Sequence, residues 1–298
     1  MRFAKGHGTE NDFVILADPD GARDLQPGLV ARLCDRHAGI GADGVLRAVR
    51  TAAKGGAGLG GPATAGDAGL AAGADGGRNG GTAPEWFMDY RNADGSLAEM
   101  CGNGIRVFAR YLLGEGLASG PEFTVATRSG YRRVREEPSG DITVDMGPAT
   151  ALGPGRAVLD GRLREGLRVS VGNPHLACLV HDPLESFDLS AAPNLDPAAF
   201  PEGGNLELVR VTGPAAASMR VYERGSGETR SCGTGAVAAA LAAAQSAGQD
   251  QGVWEVTLPG GMLTVTLDAG TSWLTGPAVL VAEGELDPSW LAAATASR

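Results

Sequence analysis

Apolar and polar positions alternate in two short runs at the start of the chain, RFAKGHG and DFVILAD, with the polar cluster GHGTEND between them; this predicts two strands joined by a turn. In PGLVARLCDRHAG, Leu29, Leu33 and Cys34 fall at helical spacing, and the helix is expected to end at Gly39. ADGVLRAVR returns to a strand pattern. Residues 51–84 then contain 12 Gly and 10 Ala with no aromatic residue, too little apolar surface to offset backbone entropy, so a flexible insertion is expected. It joins two strands of a hairpin, because EWFMDYRN resumes the apolar pattern. From Gly102 the period is helical, with Ile105, Phe108 and Leu112 on one face and Gly114 and Gly116 placed to stop it. EFTVATR, YRRVREE and DITVDMG are short strands, and the Gly- and Pro-containing span from Gly147 to Gly166 is expected to cross between lobes.

The second half repeats this order. LRVSVGNPHLACLVHD, NLELVRV and SMRVYERG are strands, an Ala-rich helix follows Cys232, and VWEVTLPGGMLTVTLD is a hairpin turning at Pro-Gly-Gly. Each half is thus strands, one helix, then more strands. Small side chains let a helix be enclosed closely. The expected fold is therefore α+β, with two pseudo-symmetric lobes, each a strongly curved, barrel-like mixed sheet around a central helix, and an active site in the cleft between them. The boundaries predicted are 1–147 for the lobe carrying Cys101, 148–288 for the lobe carrying Cys232, with some chain crossing near the C-terminus, and 289–298 for a tail.

Composition narrows the function. The 298 residues are 43% hydrophobic and 20% charged, as in a globular protein, and no apolar run is long enough to cross a bilayer. MRFAKGHGTENDF lacks the apolar core of a signal peptide, so a cytoplasmic location is expected. A net charge of −10 without a basic patch argues against nucleic-acid binding. The four cysteines, Cys34, Cys101, Cys178 and Cys232, are widely spaced, which argues against a metal site or a disulfide framework.

What stands out is MCGNGIRVFARYL and SCGTGAVAAALAAA: Cys-Gly-x-Gly twice, each opening a predicted helix. Unpaired N–H groups at a helix start favour negative charge and lower a thiol's pKa, and glycines leave those N–H groups open to a carboxylate. One such cysteine is most simply a packed thiol. Two in matching contexts point to a pair, one thiolate taking a proton from one face of a carbon and one thiol returning a proton to the other, with the helix ends stabilising the carbanion. Cys34, in an apolar helical face, and Cys178, in a strand, are expected core residues.

GHGTENDFV, CDRHAGIGADGVL, MDYRNADGSLAEMCGNGIR, GNPHLACLV and VYERGSGETRSCGTGA, in this order, resemble the diaminopimelate epimerases among the cofactor-independent amino-acid racemases. The resemblance leaves out only the insertion and the tail. It implies conversion of L,L- to meso-diaminopimelate, for lysine and peptidoglycan precursor synthesis, without pyridoxal phosphate or metal, with possible homodimers. It implies Cys101 and Cys232 as acid/base residues, and Gly102, Asn103, Gly233 and Thr234 around the reacting carboxylate. Asn11, Asn92, Asn173, Asn205 and Arg224 would bind the substrate, with Glu223 on an ammonium or a thiol and His175 in support. Asparagines offer donors and acceptors to an amino-acid head, and Arg224 suits a carboxylate. His7, His37 and His181 carry no expected role, and Asp43 and Asp94 are expected turn residues. Glu10 departs from the family, which often has Gly there. The alternatives are a proline or hydroxyproline racemase, which needs no residues for a distal amino-acid head, and a redox-responsive dithiol binding protein.

Overall fold

The computed structural model describes residues 1–54 and 84–296, and most of the Gly/Ala-rich insertion lies outside the described residues. Its first residues, Thr51–Lys54, form a 3-10 turn with Thr51 buried. The chain divides into two compact units, Met1–Val144 with Pro277–Arg298, and Asp145–Gly276.

The first unit begins with β1 (Arg2–Gly8), β2 (Asn11–Ala17), α1 (Pro27–Cys34), β3 (Gly44–Arg50) and β4 (Trp86–Asn92). It continues with α2 (Gly102–Gly114), β5 (Glu122–Thr127), β6 (Gly130–Glu136) and the start of β7 (Ile142–Gly147). β1 and β2 are antiparallel, β2 and β3 parallel, β3 and β4 antiparallel, β4 and β5 parallel across α2, and β5, β6 and β7 antiparallel. The hairpin expected around the insertion is thus β3–β4. α1 stops at Cys34 and not at Gly39, because the Asp35 carboxylate accepts the N–H groups of His37 and Ala38, both at 2.7 Å, and turns the chain early.

The second unit contains β8 (Thr150–Leu159), β9 (Arg162–Ser170), β10 (Pro174–Leu179), β11 (Asn194–Leu195), β12 (Asn205–Gly213), β13 (Ala216–Glu223) and β14 (Gly227–Thr229). α3 (Gly233–Ser246), β15 (Gly252–Leu258), β16 (Gly261–Leu267) and β17 (Ser272–Gly276) complete it. β9 and β10 are antiparallel, β10 and β12 parallel, β12 and β13 antiparallel, β13 and β15 parallel across α3, and β15, β16 and β17 antiparallel. This is the pairing sequence of the first unit, strand for strand. The segment predicted as a crossing at Gly147–Gly166 instead forms most of the β8–β9 hairpin, turning at Asp160 and Gly161 with φ of 53° and 68°. Finally β18 (Val279–Glu285) pairs antiparallel with β1, and α4 (Pro288–Ala296) packs on α1, its Trp290 indole donating to Ala38 O at 3.1 Å.

Each unit wraps its sheet around one helix. α2 is buried from Gly102 to Ala109 against β1, β2, β3, β4 and β18, and α3 is buried from Gly235 to Ala244 against β10, β12, β13, β15, β16 and others. Both helices end in the same way. Gly116 N–H donates to Leu113 O and Leu117 N–H to Leu112 O, and likewise Gly248 to Gln245 O and Gln249 to Ala244 O, with Gly116 and Gly248 at φ of 65° and 72°. Among the described residues no helix is long and apolar enough to cross a bilayer.

Candidate active site

The two cysteines are the N-caps of the two central helices. Both have extended backbone, Cys101 at φ −140° and Cys232 at φ −129°, and each sulfur accepts from the backbone N–H three residues on, Gly104 and Gly235, at 3.4 Å. The sulfur therefore stands one residue outside the helix, at the end where the backbone dipoles favour negative charge.

Around Cys101 the first unit brings together Asn11 and Asn103. Asn11 Oδ1 lies 3.5 Å from the Cys101 sulfur and accepts from Asn103 Nδ2 at 3.3 Å, while Asn11 Nδ2 donates to Asp43 at 2.8 Å. Asp43, expected only to turn the chain, thus orients Asn11 and also takes Arg36 at 2.7 Å. Asn92, the last residue of β4, donates to Ser96 Oγ at 2.9 Å across the Asp94–Gly95 turn and makes no bond to this group. Asn11 leaves a two-residue hairpin turn, Thr9–Glu10, whose φ values of 50° and 64° explain why glycine suits position 10.

Around Cys232 the second unit builds a denser network. Thr234 Oγ1 lies 3.5 Å from the sulfur and accepts from Asn173 Nδ2 at 3.3 Å. Asn173 Oδ1 faces His175 Nε2 at 2.9 Å, and His175 Nδ1 faces Glu207 Oε1 at 2.6 Å. His175 and Glu207 are fully buried. Asn205 Nδ2 donates to Pro174 O at 3.3 Å and its Oδ1 accepts Arg224 N–H at 2.9 Å, so Asn205 pins the start of Arg224's loop. The Arg224 guanidinium is half-exposed and donates to Glu202 O at 3.1 Å. Glu223 bonds to Thr229 Oγ1 and to Cys232.

Burial raises the pKa of Cys232 well above its ordinary value, and the Glu223 and Glu207 carboxylates raise it further, against the lowering by Thr234 and the Gly235 N–H. The helix start alone would favour a thiolate here. Desolvation and two carboxylates win, and Cys232 is a thiol at neutral pH. Burial likewise raises Glu223 and Glu207. Cys34 and Cys178 sit in apolar clusters, where burial pushes them up to about 11 and about 12.

The matched pairings place these residues in equivalent positions. Phe13 faces Gly44 across β2 and β3, as His175 faces Asn205 across β10 and β12. Two residues further, Leu46 corresponds to Glu207. Both lie under the helix start: a Cβ on Gly104 would meet Leu46 and Phe13 at 3.4 Å, and one on Gly235 would meet Glu207 Oε1 at 2.9 Å. The first thiol therefore stands over an apolar floor and the second over a buried histidine and carboxylate. Glu207 escapes sequence reasoning because NLELVRV alternates like a strand with one wet face, while both faces are covered here.

The diaminopimelate epimerase family model matches residues 80–152 and 167–281. Diaminopimelate epimerase of Thermobifida fusca is 58% identical over 286 residues, covering 96% of this chain and 98% of that one. This chain belongs to the diaminopimelate epimerase family. The family's enzyme from Mycolicibacterium smegmatis is 51% identical, over 97% of this chain and 98% of its own. Among solved structures, a hydroxyproline epimerase from Agrobacterium vitis superposes with a TM-score of 0.62 at 13% identity, over 98% of this chain and 94% of that one, which is a likeness of fold. The α+β fold with two lobes is shared with it, whereas the diaminopimelate epimerase family is set by sequence over nearly the whole chain.

Proposed function

We propose that this chain interconverts L,L- and meso-diaminopimelate by a two-base proton transfer at one α-carbon, with Cys101 and Cys232 as the acid/base pair. The observation that carries the reading is the repeated cap: equivalent helices, one per unit, each starting with a cysteine sulfur held by a glycine N–H at 3.4 Å. In the L,L-to-meso direction the Cys101 thiolate removes the α-proton, and the buried Cys232 thiol gives its proton to the opposite face of the carbanion. The pair ends as a Cys101 thiol and a Cys232 thiolate, ready for the reverse reaction.

The carbanion needs electrostatic stabilisation at the adjoining carboxylate, and N–H groups at the starts of α2 and α3, from Gly102, Asn103, Gly233 and Thr234, supply it. Asn11, Asn92, Asn173, Asn205 and Arg224 hold the amino and carboxylate groups of the substrate, including the end that does not react. Glu223 accepts from the ammonium or the Cys232 thiol, and His175 keeps Asn173 oriented. No pyridoxal phosphate or metal takes part. Purified enzyme, dialysed against chelator and without added cofactor, is expected to convert L,L-diaminopimelate to a mixture with the meso form, followed by chiral chromatography. Activity that appears only on adding pyridoxal phosphate or a divalent metal contradicts this reading, as does racemisation of proline in its place.

A further inference from the structure

Arg106 is the fifth residue of α2 and is fully buried; the fifth residue of α3 is Val237, also fully buried. Among the described residues no carboxylate lies within 4.0 Å of the Arg106 guanidinium, whose bonds go to neutral groups: Gly102 O at 3.3 Å, Thr9 Oγ1 at 3.3 Å and Pro277 O at 3.5 Å. Room for it is kept by Gly8, where a Cβ would stand 3.0 Å from its Nη2. A buried cation with only carbonyl and hydroxyl partners is costly unless a countercharge is near. The charges that act on it are Cys101, the N-cap five residues back, and, less strongly, Asp141.

The other charged groups on the elements packed against α2 are committed elsewhere. Lys5 of β1 pairs with Asp12 of β2 at 2.5 Å, and Arg36 pairs with Asp12 at 2.8 Å. Arg47 of β3 pairs with Asp89 of β4 at 2.5 Å, and on β18 Glu283 faces Arg2 at 3.7 Å. His7 accepts from the Glu10 N–H. Burial lowers Arg106 to about 10, so it stays charged at neutral pH.

We infer that Arg106 is the electrostatic partner of Cys101: its buried positive charge, with no carboxylate of its own, holds the Cys101 thiol in the thiolate form. The second unit has the opposite arrangement. Under the equivalent thiol it buries Glu207, Glu223 bonds to that thiol, and a valine replaces the arginine. Equal caps thus receive different surroundings, a buried cation near the first and acidic groups beside the second. Arg106 is a positioning residue in this sense and touches no substrate. The inference rests on Cys101 being the reactive thiol proposed above, but thiol titration needs no turnover and stands apart from that reading.

The test is the pH dependence of iodoacetamide alkylation at Cys101 and Cys232 in the full chain, read separately by peptide mass spectrometry. In the unsubstituted chain the Cys101 midpoint is expected below the ordinary thiol value of about 8.5, with Cys232 above it. Arg106→Gln should raise the Cys101 midpoint by about one unit, which lowers its alkylation about tenfold at pH values well below the midpoint, and should leave Cys232 unmoved. Arg106→Lys, which keeps the charge, should restore most of the shift. An unmoved Cys101 midpoint in folded Arg106→Gln overturns the inference, and so does an equal rise in Arg106→Lys. Should Arg106→Gln fail to fold, a Cys101 midpoint at or above about 8.5 in the unsubstituted chain overturns it alone.

Discussion

Cys34 and Cys178 show what separates a packed thiol from a usable one. Burial in apolar clusters raises them to about 11 and about 12, so neither forms appreciable thiolate near neutral pH. Both should resist iodoacetamide at pH 8 in the native chain, and Cys34→Ala and Cys178→Ala should keep their turnover after a modest loss of stability; rapid alkylation of either under native conditions contradicts this. Their packed character is legible in the sequence, from a helical apolar face and a strand. Glu10 is the opposite case, a local conflict the chain tolerates. It holds φ of 64°, where glycine is favoured, so Glu10→Gly should raise stability by about 0.5–1 kcal/mol in urea melts, and a loss of stability contradicts the turn assignment. Arg106 and Glu207 are not legible at this scale, because spacing along a helix or strand gives a residue's face and not what covers that face.

At the scale of elements, the repeated helix was legible because Cys-Gly-x-Gly marks its start and glycine its end in both halves. The β8–β9 hairpin was not, although Asp160-Gly161 is a strong turn pair, because Gly153, Pro154, Gly155 and Gly166 give its strands the composition of a linker. β18 is not legible for another reason: its partner β1 stands at the other end of the chain, and no local pattern announces that pairing. The equivalent helix starts differ in what lies beneath them, and one pair of substitutions reads this out. Gly104→Ala places its Cβ at ordinary contact, 3.4 Å from Leu46 and Phe13, and should leave activity within a few-fold of the parent. Gly235→Ala places its Cβ 2.9 Å from the Glu207 oxygen that is fixed by His175, and should cut kcat severely. Equal effects of the two substitutions, with both proteins folded, contradict the asymmetric floor.

Across the whole molecule, the two units repeat one pairing sequence while their charges differ. The first is tied together by carboxylates buried among cations. Asp89 is fully buried, holds Arg47 and Arg128, and Arg128 also donates to Tyr90 O and Ala98 O at 2.8 and 3.0 Å, fixing the segment that leads to Cys101. Burial would raise Asp89 and Asp12, but the guanidinium and ammonium groups beside them prevail and lower both, Asp12 to about 2. A carboxylate lowered by folding adds stability above its ordinary pKa, near 3.8 for Asp12, and that stability is lost as pH falls toward the folded value. Thermal stability should therefore drop between about pH 4 and pH 2, and Asp12→Asn should flatten part of that drop; an undiminished drop in Asp12→Asn contradicts this. The two-lobe architecture was visible in the sequence as a repeat of element order, whereas this charge difference between the lobes lies in contacts that a linear pattern does not reveal.

The central claim is that two thiols work as one acid/base pair. Its most direct measurement is exchange of the diaminopimelate α-hydrogen in heavy water, followed by NMR, for the parent, Cys101→Ala and Cys232→Ala. The parent should wash deuterium into the α-position as it epimerises, and each variant should lose epimerisation by several orders of magnitude. Near-parental epimerisation by either variant would contradict the two-base account.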